Sequence, residues 1–495
     1  MSIPGLTSPQ RARELWESLV HVTVTKKNSA SLIEPLICLL PRRDIDSQAL
    51  AKTTLLVLAS QPSTKDLFQN SLQVKAAELQ TWSAPSNPAV HLFHLHLTFN
   101  LNTSLSLESS CQKLLAYVLD QLQETQWWSR EGTSLLPLLD SLLQQWCRNG
   151  GIWLLERQSI SKLQGLIKQA VQPCPTEVIA DLKSKGTIKA WCFGEPLHPT
   201  SIDVASFYEK HPYPRWAGMD LSPLRDGLGG YLARAVGSRA AAALVAEPNR
   251  LLVLGCGTGR EALAWAAALP QSRVVGVDLS SASLRHANQM AQELGINNVD
   301  WHQEDLLRLP PAFTDYDLVI ASGVLHHLPD PNAGFQAVTR LVRPGGLIKL
   351  ALYSELARKP LVLAREILRS TMAGDHSQEA LVRARVKLIE QLAQDKSLSC
   401  LPRIQEFFDL DGCWDLFFHP CESSFSLSGI QEVMTHFKLH FLGFEWDDDL
   451  SLRQFRALFP SDPDAVNLRY WTCFEARYTQ TFLGMYRFWC STAAP

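Results

Sequence analysis

Three glycines and one aspartate stand in an arrangement that can hold a nucleoside. Gly255, Gly257 and Gly259 follow the apolar run LLVLG (251–255) and precede a helical pattern. Glycines in such a loop allow a tight turn and a close approach of the backbone to a ligand, and the free N–H groups of the following helix face its anionic part. Asp278 ends the next apolar run, where a carboxylate can accept hydrogen bonds from both hydroxyls of a ribose.

The spacing of the glycines argues against a dinucleotide. A dinucleotide fingerprint requires a further glycine at position 260, and this chain has Arg260 there. The loop and Asp278 therefore predict an adenosine-type ligand without a pyrophosphate group. A nicotinamide-dependent dehydrogenase is disfavoured for this reason, and also because the sequence lacks the Tyr-Lys or His-Asp context of such enzymes.

Alternating strand and helix patterns surround the loop and predict its fold. Short apolar runs separated by helical patterns are typical of a parallel sheet with helices on both faces. The predicted strands are LLVLG (251–255), RVVGVD (273–278), NVDWH (298–302), YDLVIAS (316–322), LIKLALY (347–353), KLHFLGFEW (438–446) and GMYRFWCS (484–491). We therefore predict an α/β fold with a doubly wound sheet of seven strands and a helical insertion at about 355–436.

The residues before this sheet differ in composition. Residues 1–200 are rich in leucine and poor in glycine, and the leucines between 135 and 143 recur at three- and four-residue spacing. That spacing is typical of amphipathic helices. We predict two domains: a mainly helical N-terminal domain (1–200), for which substrate or partner binding is an open role, and the α/β domain (201–495).

Two other segments contain residues that can bind ions. HLFHLHL (91–97) would place His94 and His96 on one face of a strand, but no Cys, Asp or Glu follows nearby to complete a metal site. We expect satisfied or surface histidines there and no metal. The basic run RARVK (383–387), together with Arg358, Lys359, Arg365 and Arg369, either binds an anionic partner or, as we favour, forms a solvated helix face among interspersed glutamates.

Composition excludes several classes of protein. The 495 residues are 46% hydrophobic and 19% charged, which is the globular range, and the net charge of −3 gives no general attraction to nucleic acid, although a local basic patch stays open. The first residues do not read as a signal peptide, and no apolar run is long enough to cross a bilayer. The 11 cysteines form no CxxC pair, so we expect a reduced, cytoplasmic protein.

At the loop and four further motifs the sequence resembles the class I S-adenosylmethionine-dependent methyltransferases. The glycine loop and Asp278 match their first motifs, and EDLLRLP (304–310), ASGVLHHLPDP (321–331) and LVRPGGLIKL (341–350) match later ones. The resemblance implies a Rossmann-like methyltransferase sheet and S-adenosyl-L-methionine as the cofactor. It also implies the cofactor-binding residues Gly255, Cys256, Gly257, Thr258, Gly259, Asp278, Leu279, Asp305, Leu306 and Ser322. For Asp305, an ordinary helix cap is the alternative.

A narrower resemblance extends along the second domain. Four segments are similar to those of a bacterial methyltransferase group whose members often carry helical or tetratricopeptide-type N-terminal regions: FYEKHPYPRW (207–216), FHPCESSFSLSGI (418–430), FLGFEW (441–446) and TFLGMYRFW (481–489). The first segment either covers the cofactor as a lid or forms a rigid linker whose aromatic side chains pack on the core. The second either lines the substrate pocket or lies on the surface. The residues concerned are Tyr208, Tyr213, Arg215, Trp216, His419 and Glu422.

Adjacent histidines follow the fourth predicted strand, where the resemblance places the methyl acceptor. Imidazole titrates near neutral pH, so His327 or, less favoured, His326 can act as a general base; alternatively both shape the pocket. The same stretch reads ASGV (321–324) and not the [D/N]PP[Y/F] of enzymes that methylate exocyclic or amide nitrogens. Adenine-N6 and glutamine acceptors are therefore disfavoured, while oxygen, carbon and other nitrogen nucleophiles stay open.

Together these features predict methyl transfer from S-adenosylmethionine to an unidentified acceptor, with a small molecule favoured. A protein or tRNA acceptor presented by the N-terminal region is one alternative. A non-catalytic scaffold that binds the cofactor and recruits a protein partner is another, although no ligand-facing feature is lost from the sequence. Methyl transfer of this kind requires no metal ion, and we expect no membrane partner.

Overall fold

The computed structural model describes residues 9–42, 45–68, 82, 87–125, 130–153, 155, 157–169, 214, 216, 219, 224, 226–446 and 450–493. The chain divides into two compact units. The first unit comprises Met1–His198, Ala217–Met219 and Ala364–Phe417, and the second comprises Pro199–Trp216, Asp220–Leu363 and Phe418–Pro495.

Helices occupy the described part of the first unit and alternate with strands in the second. Those before the sheet are α1 (Pro9–Val20), α2 (Ile33–Leu39), α3 (Ala51–Ser60), α4 (Pro88–Phe99), α5 (Leu105–Thr125), α6 (Arg130–Arg148), α7 (Arg157–Gln169), α8 (Gly227–Ala235) and α9 (Ser238–Ala242). The later ones are α10 (Arg260–Ala268), α11 (Ser281–Leu294), α12 (Pro331–Leu341), α13 (Lys359–Met372), α14 (Gln378–Leu392), α15 (Leu410–Phe418), α16 (Leu427–His436), α17 (Leu450–Leu458) and α18 (Leu468–Arg477). Among the described residues, no helix has the length and apolar character needed to cross a bilayer.

The leucine spacing correctly predicted helix α6. Leu138, Leu139, Leu142 and Leu143 are buried on one side of the helix, which continues through Pro137. Burying a leucine side chain contributes about 1.5–3 kcal/mol, so this stripe is a substantial part of the first unit's core. The prediction of a helical region before the sheet is confirmed.

The prediction of a strand at HLFHLHL was wrong, because these residues form helix α4. Asn87 caps the helix by accepting from the N–H groups of Ala89 and Val90, and Pro88 occupies its first turn. On a helix, residues two apart point in different directions. His94 accordingly contacts the Trp82 carbonyl (2.7 Å), and His96 lies elsewhere and is fully buried. Burial lowers the pKa of His96 to about 3, so it is a neutral core residue.

The RARVK segment is only partly a solvated helix face, which corrects the expectation for its central arginine. Arg385 on helix α14 is 1% exposed and forms two hydrogen bonds with Glu108 of helix α5, at 2.8 and 3.0 Å. Its Nε also donates to the Phe407 carbonyl (2.8 Å). Arg383, two residues earlier, is exposed and pairs with Glu379 on the same helix. Arg383 therefore faces solvent, whereas Arg385 lies in the core.

The second unit contains the predicted seven-stranded sheet. Its strands are β1 (Arg250–Leu254), β2 (Arg273–Asp278), β3 (Val299–Gln303), β4 (Tyr316–Ser322), β5 (Val342–Leu352), β6 (His440–Phe444) and β7 (Tyr486–Ser491). They lie in the order β3-β2-β1-β4-β5-β7-β6. Strands β1 to β5 are parallel and β7 runs antiparallel to both β5 and β6. The carboxyl ends of β1, β2 and β4 therefore meet at one edge, where ligands of such sheets bind.

Helix α11 begins and ends where its capping residues predict. The Ser280 hydroxyl accepts from the N–H of Ser283 at 3.1 Å, and Gly295 ends the helix in the left-handed region at φ +68°. The buried residues Leu284, Ala287 and Met290 share the face that packs on the sheet. The segment between β2 and the helix is thereby held at the carboxyl edge.

A buried ion cluster fixes helix α10, which follows the glycine loop. Lys349 of β5 places its Nζ 2.9 Å from Glu261, in the first turn of α10, and 3.0 Å from Glu445, which follows β6. Burial disfavours the lysine charge, but the two carboxylates outweigh burial and hold the pKa of Lys349 well above its usual range. The start of the helix is thus tied to the centre of the sheet.

Candidate functional site

The glycine loop lies at the carboxyl end of β1 and requires its glycines. Gly255 has φ +57°, and a Cβ there would lie 2.4 Å from a methyl carbon of Val324. Gly259 has φ +86°, and its Cβ would lie 2.6 Å from the Cβ of Ala287. Any side chain at either position would clash and adopt a strained backbone conformation. The loop backbone is therefore held against α11 and the residues after β4.

Asp278 joins the end of β2 to this loop. One carboxylate oxygen accepts from the N–H of Gly257 (2.7 Å), and the other accepts from the N–H of Ser280 (2.9 Å). Burial raises the pKa of Asp278, and these N–H groups oppose the rise by stabilising the carboxylate. The structure thus brings the predicted ribose acid to the predicted glycine loop.

Apolar and polar groups flank Asp278 along the same edge. Leu279 is 41% exposed, and Leu307, in the turn after β3, is 37% exposed. Leu306 differs from its neighbour, because its side chain is buried in the core. Asp305 accepts from the N–H of Leu307 at 2.9 Å, which is the capping role that the sequence left open. The hydroxyl of Ser322, at the end of β4, has no hydrogen-bond partner within the described part of the chain.

Two described residues of the Pro- and aromatic-rich segment, Pro214 and Trp216, contact Thr258 of the glycine loop. The indole Nε1 of Trp216 lies 3.2 Å from the Thr258 carbonyl and 3.1 Å from its hydroxyl. The Thr258 hydroxyl in turn donates to the Pro214 carbonyl at 2.6 Å. Cys256, on the same loop, is buried. The other predicted residues of this segment, Tyr208, Tyr213 and Arg215, lie outside the described residues.

The hydrogen bond of His327 determines which of its nitrogens is available. The pair of histidines forms a short turn directly after β4, and Nδ1 of His327 lies 2.9 Å from the carbonyl oxygen of Cys421. Because a carbonyl only accepts, Nδ1 must carry the proton, and the lone pair is on Nε2. Burial, with a smaller contribution from Arg358, lowers the pKa of His327 to about 4. The side chain is therefore neutral at pH 7.

The aromatic rings of His326, Tyr353 and His419 surround His327. Its ring centroid lies 3.7 Å from that of His419, and His326 stacks on Tyr353, also at 3.7 Å. Nδ1 of His419 lies 2.6 Å from the Cys421 carbonyl, so two imidazoles approach one oxygen. Burial lowers the pKa of His419 to about 3 and holds the pKa of His326 well below its usual range. This cluster of neutral rings lies at the carboxyl ends of β4 and β5.

His419 and Glu422 are not surface residues, which corrects one of the two alternatives for their segment. His419 is buried, and the Glu422 side chain is 12% exposed and forms an ion pair with Arg358 at 2.8 Å. Two members of this cluster, Tyr353 and the Cys421 carbonyl, were not predicted from the sequence. The position of Tyr353 at the end of a predicted strand could have indicated that its ring lies at the site. A main-chain carbonyl is common to all residues, so the sequence contains no pattern that marks the carbonyl of Cys421.

Part of this chain is similar to known methyltransferases. A family profile described as "Methyltransferase domain" matches residues 252–348. A ubiquinone biosynthesis O-methyltransferase from Rhizobium etli is 30% identical over 190 residues, which cover 38% of this chain and 71% of the relative. A trans-aconitate 2-methyltransferase from Azoarcus sp. is 38% identical over 97 residues, covering 20% of this chain and 36% of the relative.

The matches are partial on both sides. The chain spans about half the length of several curated relatives that it matches. Among solved structures, PKMT2 from Rickettsia typhi in complex with AdoHcy aligns with a TM-score of 0.38 and 16% identity, covering 49% of this chain and 48% of that one. From the profile match and the identity across more than two thirds of the Rhizobium protein, the chain belongs to the class I S-adenosylmethionine-dependent methyltransferases, whose cofactor is S-adenosylmethionine.

Proposed function

We propose that this chain transfers the methyl group of S-adenosylmethionine to a small-molecule acceptor. The observation that carries the proposal is the joining of the glycine loop to Asp278, through the 2.7 Å hydrogen bond from the N–H of Gly257. It places a carboxylate and a close-approaching backbone at the edge where ligands of such sheets bind. The neutral His327 follows β4, the strand that lies on the other side of β1 from Asp278.

The residues at this edge fit the cofactor. The exposed side chains of Leu279 and Leu307 offer apolar surface for a planar base, and the carboxylate of Asp278 suits ribose hydroxyls. Gly255 leaves the loop backbone bare at this edge, because a Cβ there would meet a methyl carbon of Val324 at 2.4 Å. In this proposal Gly255, Asp278, Leu279 and Leu307 hold the nucleoside. The Ser322 hydroxyl, at the end of the neighbouring strand β4, is buried and has no hydrogen-bond partner in the described part of the chain.

The chain's own residues then have to orient the acceptor and remove its proton. When bound, S-adenosylmethionine supplies a methyl group activated by its positively charged sulfur. His327 accepts the acceptor's proton at Nε2, because its Nδ1–H is held by the Cys421 carbonyl. Transfer of that methyl group would leave S-adenosylhomocysteine and the methylated acceptor as the two products, so the chain's residues would have to hold both reactants and take up one proton. Positioning of this kind lowers the activation barrier of a reaction between two bound molecules by roughly 7–11 kcal/mol.

Burial supports a small acceptor. His327 is 7% exposed, so an acceptor has to enter the site to reach its Nε2. Two of the relatives are named for methyl transfer in ubiquinone biosynthesis and to trans-aconitate. A protein or tRNA acceptor and a non-catalytic scaffold are the alternatives. Incubation of a heat-inactivated cell extract with the protein and methyl-labelled S-adenosylmethionine, followed by ultrafiltration and chromatography of the filtrate, separates them. A labelled small molecule other than S-adenosylmethionine and its breakdown products, formed only when the protein is added, supports the proposal. Protein-dependent label only in the retained fraction, or none at all, contradicts it.

Calorimetric titration with S-adenosylmethionine, S-adenosylhomocysteine and NAD tests the cofactor site. We expect the first two to bind with a micromolar Kd, which corresponds to a binding free energy on the order of −8 kcal/mol. We expect NAD not to bind. Arg260 replaces the third glycine that a dinucleotide needs, which is the reason for the difference. Binding of NAD but not of S-adenosylmethionine would overturn the site assignment.

Replacing Asp278 by alanine should weaken S-adenosylmethionine binding by about 10- to 100-fold. Hydrogen bonds to a charged group contribute about 1.5–3 kcal/mol, and the variant also releases the N–H of Gly257 that orders the loop. The control is Asp300→Ala, because Asp300 is an exposed carboxylate on the neighbouring strand β3 that pairs with Arg273. An equal Kd in the two variants would contradict the role of Asp278.

A further inference from the structure

Residues 421–425, here called the cap segment, are fastened to the ends of β4 and β5 by main-chain hydrogen bonds. The N–H of Ser423 donates to the carbonyl of His326 at 2.8 Å. The N–H of Phe425 donates to the Tyr353 carbonyl at 2.8 Å, and the N–H of Glu355 donates back to Phe425 at 2.9 Å. In all three bonds the cap-segment residue is Ser423 or Phe425, which come after Glu422. Other contacts therefore have to hold Cys421 and Glu422 at the start of the segment.

The start of the cap segment is held by an ion pair of two-point geometry. Arg358 donates from Nε to one oxygen of Glu422 (2.9 Å) and from Nη2 to the other (2.8 Å). The guanidinium also lies over the ring of Tyr353, with Cζ 3.6 Å from the ring centroid. Both side chains of the pair are largely buried, at 5% and 12% exposure. Parallel hydrogen bonds of this kind set orientation as well as energy.

This ion pair lies directly beside the carbonyl that accepts from His327. Cys421, whose carbonyl accepts from Nδ1 of His327, immediately precedes Glu422. A rotation of the peptide plane between Cys421 and Glu422 would turn the Cys421 carbonyl away from the imidazole. Without that acceptor, the His327 ring would be free to carry its proton on Nε2, the nitrogen that has to be unprotonated to act as a base.

We propose that Glu422, held by Arg358, is a positioning residue that keeps His327 in the Nδ1–H form by orienting the Cys421 carbonyl. The inference deepens the proposed function and rests on His327 being the base of that reaction. Glu422 itself contacts no reacting atom in this scheme. Its effect passes through one main-chain oxygen, so it should be sensitive to the Glu422 side chain and insensitive to the Cys421 side chain.

The test measures the His327 tautomer directly by long-range ¹H–¹⁵N NMR of protein labelled at histidine, with the signal assigned by its loss in His327→Gln. In the native protein we expect Nδ1 protonated and Nε2 unprotonated. Glu422→Ala should shift the ring towards Nε2–H and lower kcat by as much as about 10²-fold, with the Kd for S-adenosylmethionine unchanged. Glu422→Gln keeps an oxygen acceptor for Arg358 and should restore the native signal.

Controls separate positioning from folding and from the proposed function. Cys421→Ala keeps the carbonyl and should leave the tautomer native. If Glu422→Ala does not fold, the double variant Arg358→Met with Glu422→Leu removes the pair without leaving a buried charge, and it should lose the Nδ1–H signal too. A native signal in either folded variant overturns the inference, as does Nε2–H in the native protein. Because the tautomer is read without an acceptor, failure of methyl transfer alone counts only against the proposed function.

Discussion

Replacing His327 by glutamine is expected to lower the kcat of the proposed methyl transfer by about 10²–10⁴-fold, the usual contribution of a general base. The structure leaves the Nε2 lone pair of His327 as the base, because Nδ1 donates to the Cys421 carbonyl at 2.9 Å. Glutamine keeps much of the side-chain volume but cannot take up a proton near neutral pH. The Kd for S-adenosylmethionine should stay unchanged, since His327 is not among the residues that hold the nucleoside.

The pH dependence of this reaction should also be unusual for a histidine base. Burial lowers the pKa of His327 to about 4 from its ordinary value of 6.5, so the ring stays neutral as the pH falls from 8 to about 5. Arg358 adds to this effect, and the neighbouring rings of His326 and His419 are themselves neutral in that range. We expect kcat to be level across that interval and to fall only as the pH approaches 4.

The matched control is His440→Gln, because His440 is an exposed histidine on strand β6. It should keep native kcat at every pH. Steady-state assays with radiolabelled S-adenosylmethionine and the acceptor identified in the extract measure kcat for both variants. Native kcat in His327→Gln would return His327 to a role in shaping the pocket, and a midpoint near 6.5 in the native pH profile would contradict the effect of burial.

Replacing Glu108 by alanine should lower the free energy of unfolding of the first unit by about 3–5 kcal/mol. The change leaves the guanidinium of Arg385, 1% exposed, without its carboxylate, and breaking a buried pair from one side carries a penalty of this size. The Phe407 carbonyl and ring, with Cζ of Arg385 4.6 Å from the ring centroid, cannot neutralise the charge. Urea unfolding followed by circular dichroism measures the loss.

Two further variants make this prediction specific. Arg383→Ala removes an exposed ion pair from the same helix and should cost about 0–1 kcal/mol. The double variant Glu108→Leu with Arg385→Met replaces the buried pair by apolar groups and should recover most of the stability lost in Glu108→Ala. Equal losses in Glu108→Ala and Arg383→Ala would show that the burial of the pair has no energetic consequence.

Local signals were sufficient for the elements around the cofactor edge. The continuous apolar runs of β1, β2 and β4 predicted buried parallel strands, because strands covered on both faces have no polar side to alternate. Ser280 and Gly295 marked the ends of α11 for an equally local reason, since a cap bonds to backbone within a few residues. Such features predicted the seven-stranded sheet without any knowledge of long-range contacts.

Local signals failed where short patterns fit two periodicities. The alternation of His94, Leu95 and His96 matched a strand, yet these residues lie on a helix that is buried on most sides. A short apolar run is compatible with a buried helix or a strand, so periodicity alone does not decide between them. The Asn-Pro pair at positions 87 and 88 was the cap signal that favoured the helix.

The sequence by itself therefore determined the fold class, the glycine loop and the placement of Asp278 and the two histidines at strand ends, since each depends on residues a few positions apart. Tertiary structure alone decided the charge and tautomer of His327, the burial of Arg385 and the pairing of Arg358 with Glu422. These depend on partners 94, 277 and 64 residues away in the chain. Their physical basis is burial and directed hydrogen bonding, which exist only once the distant segments have packed together.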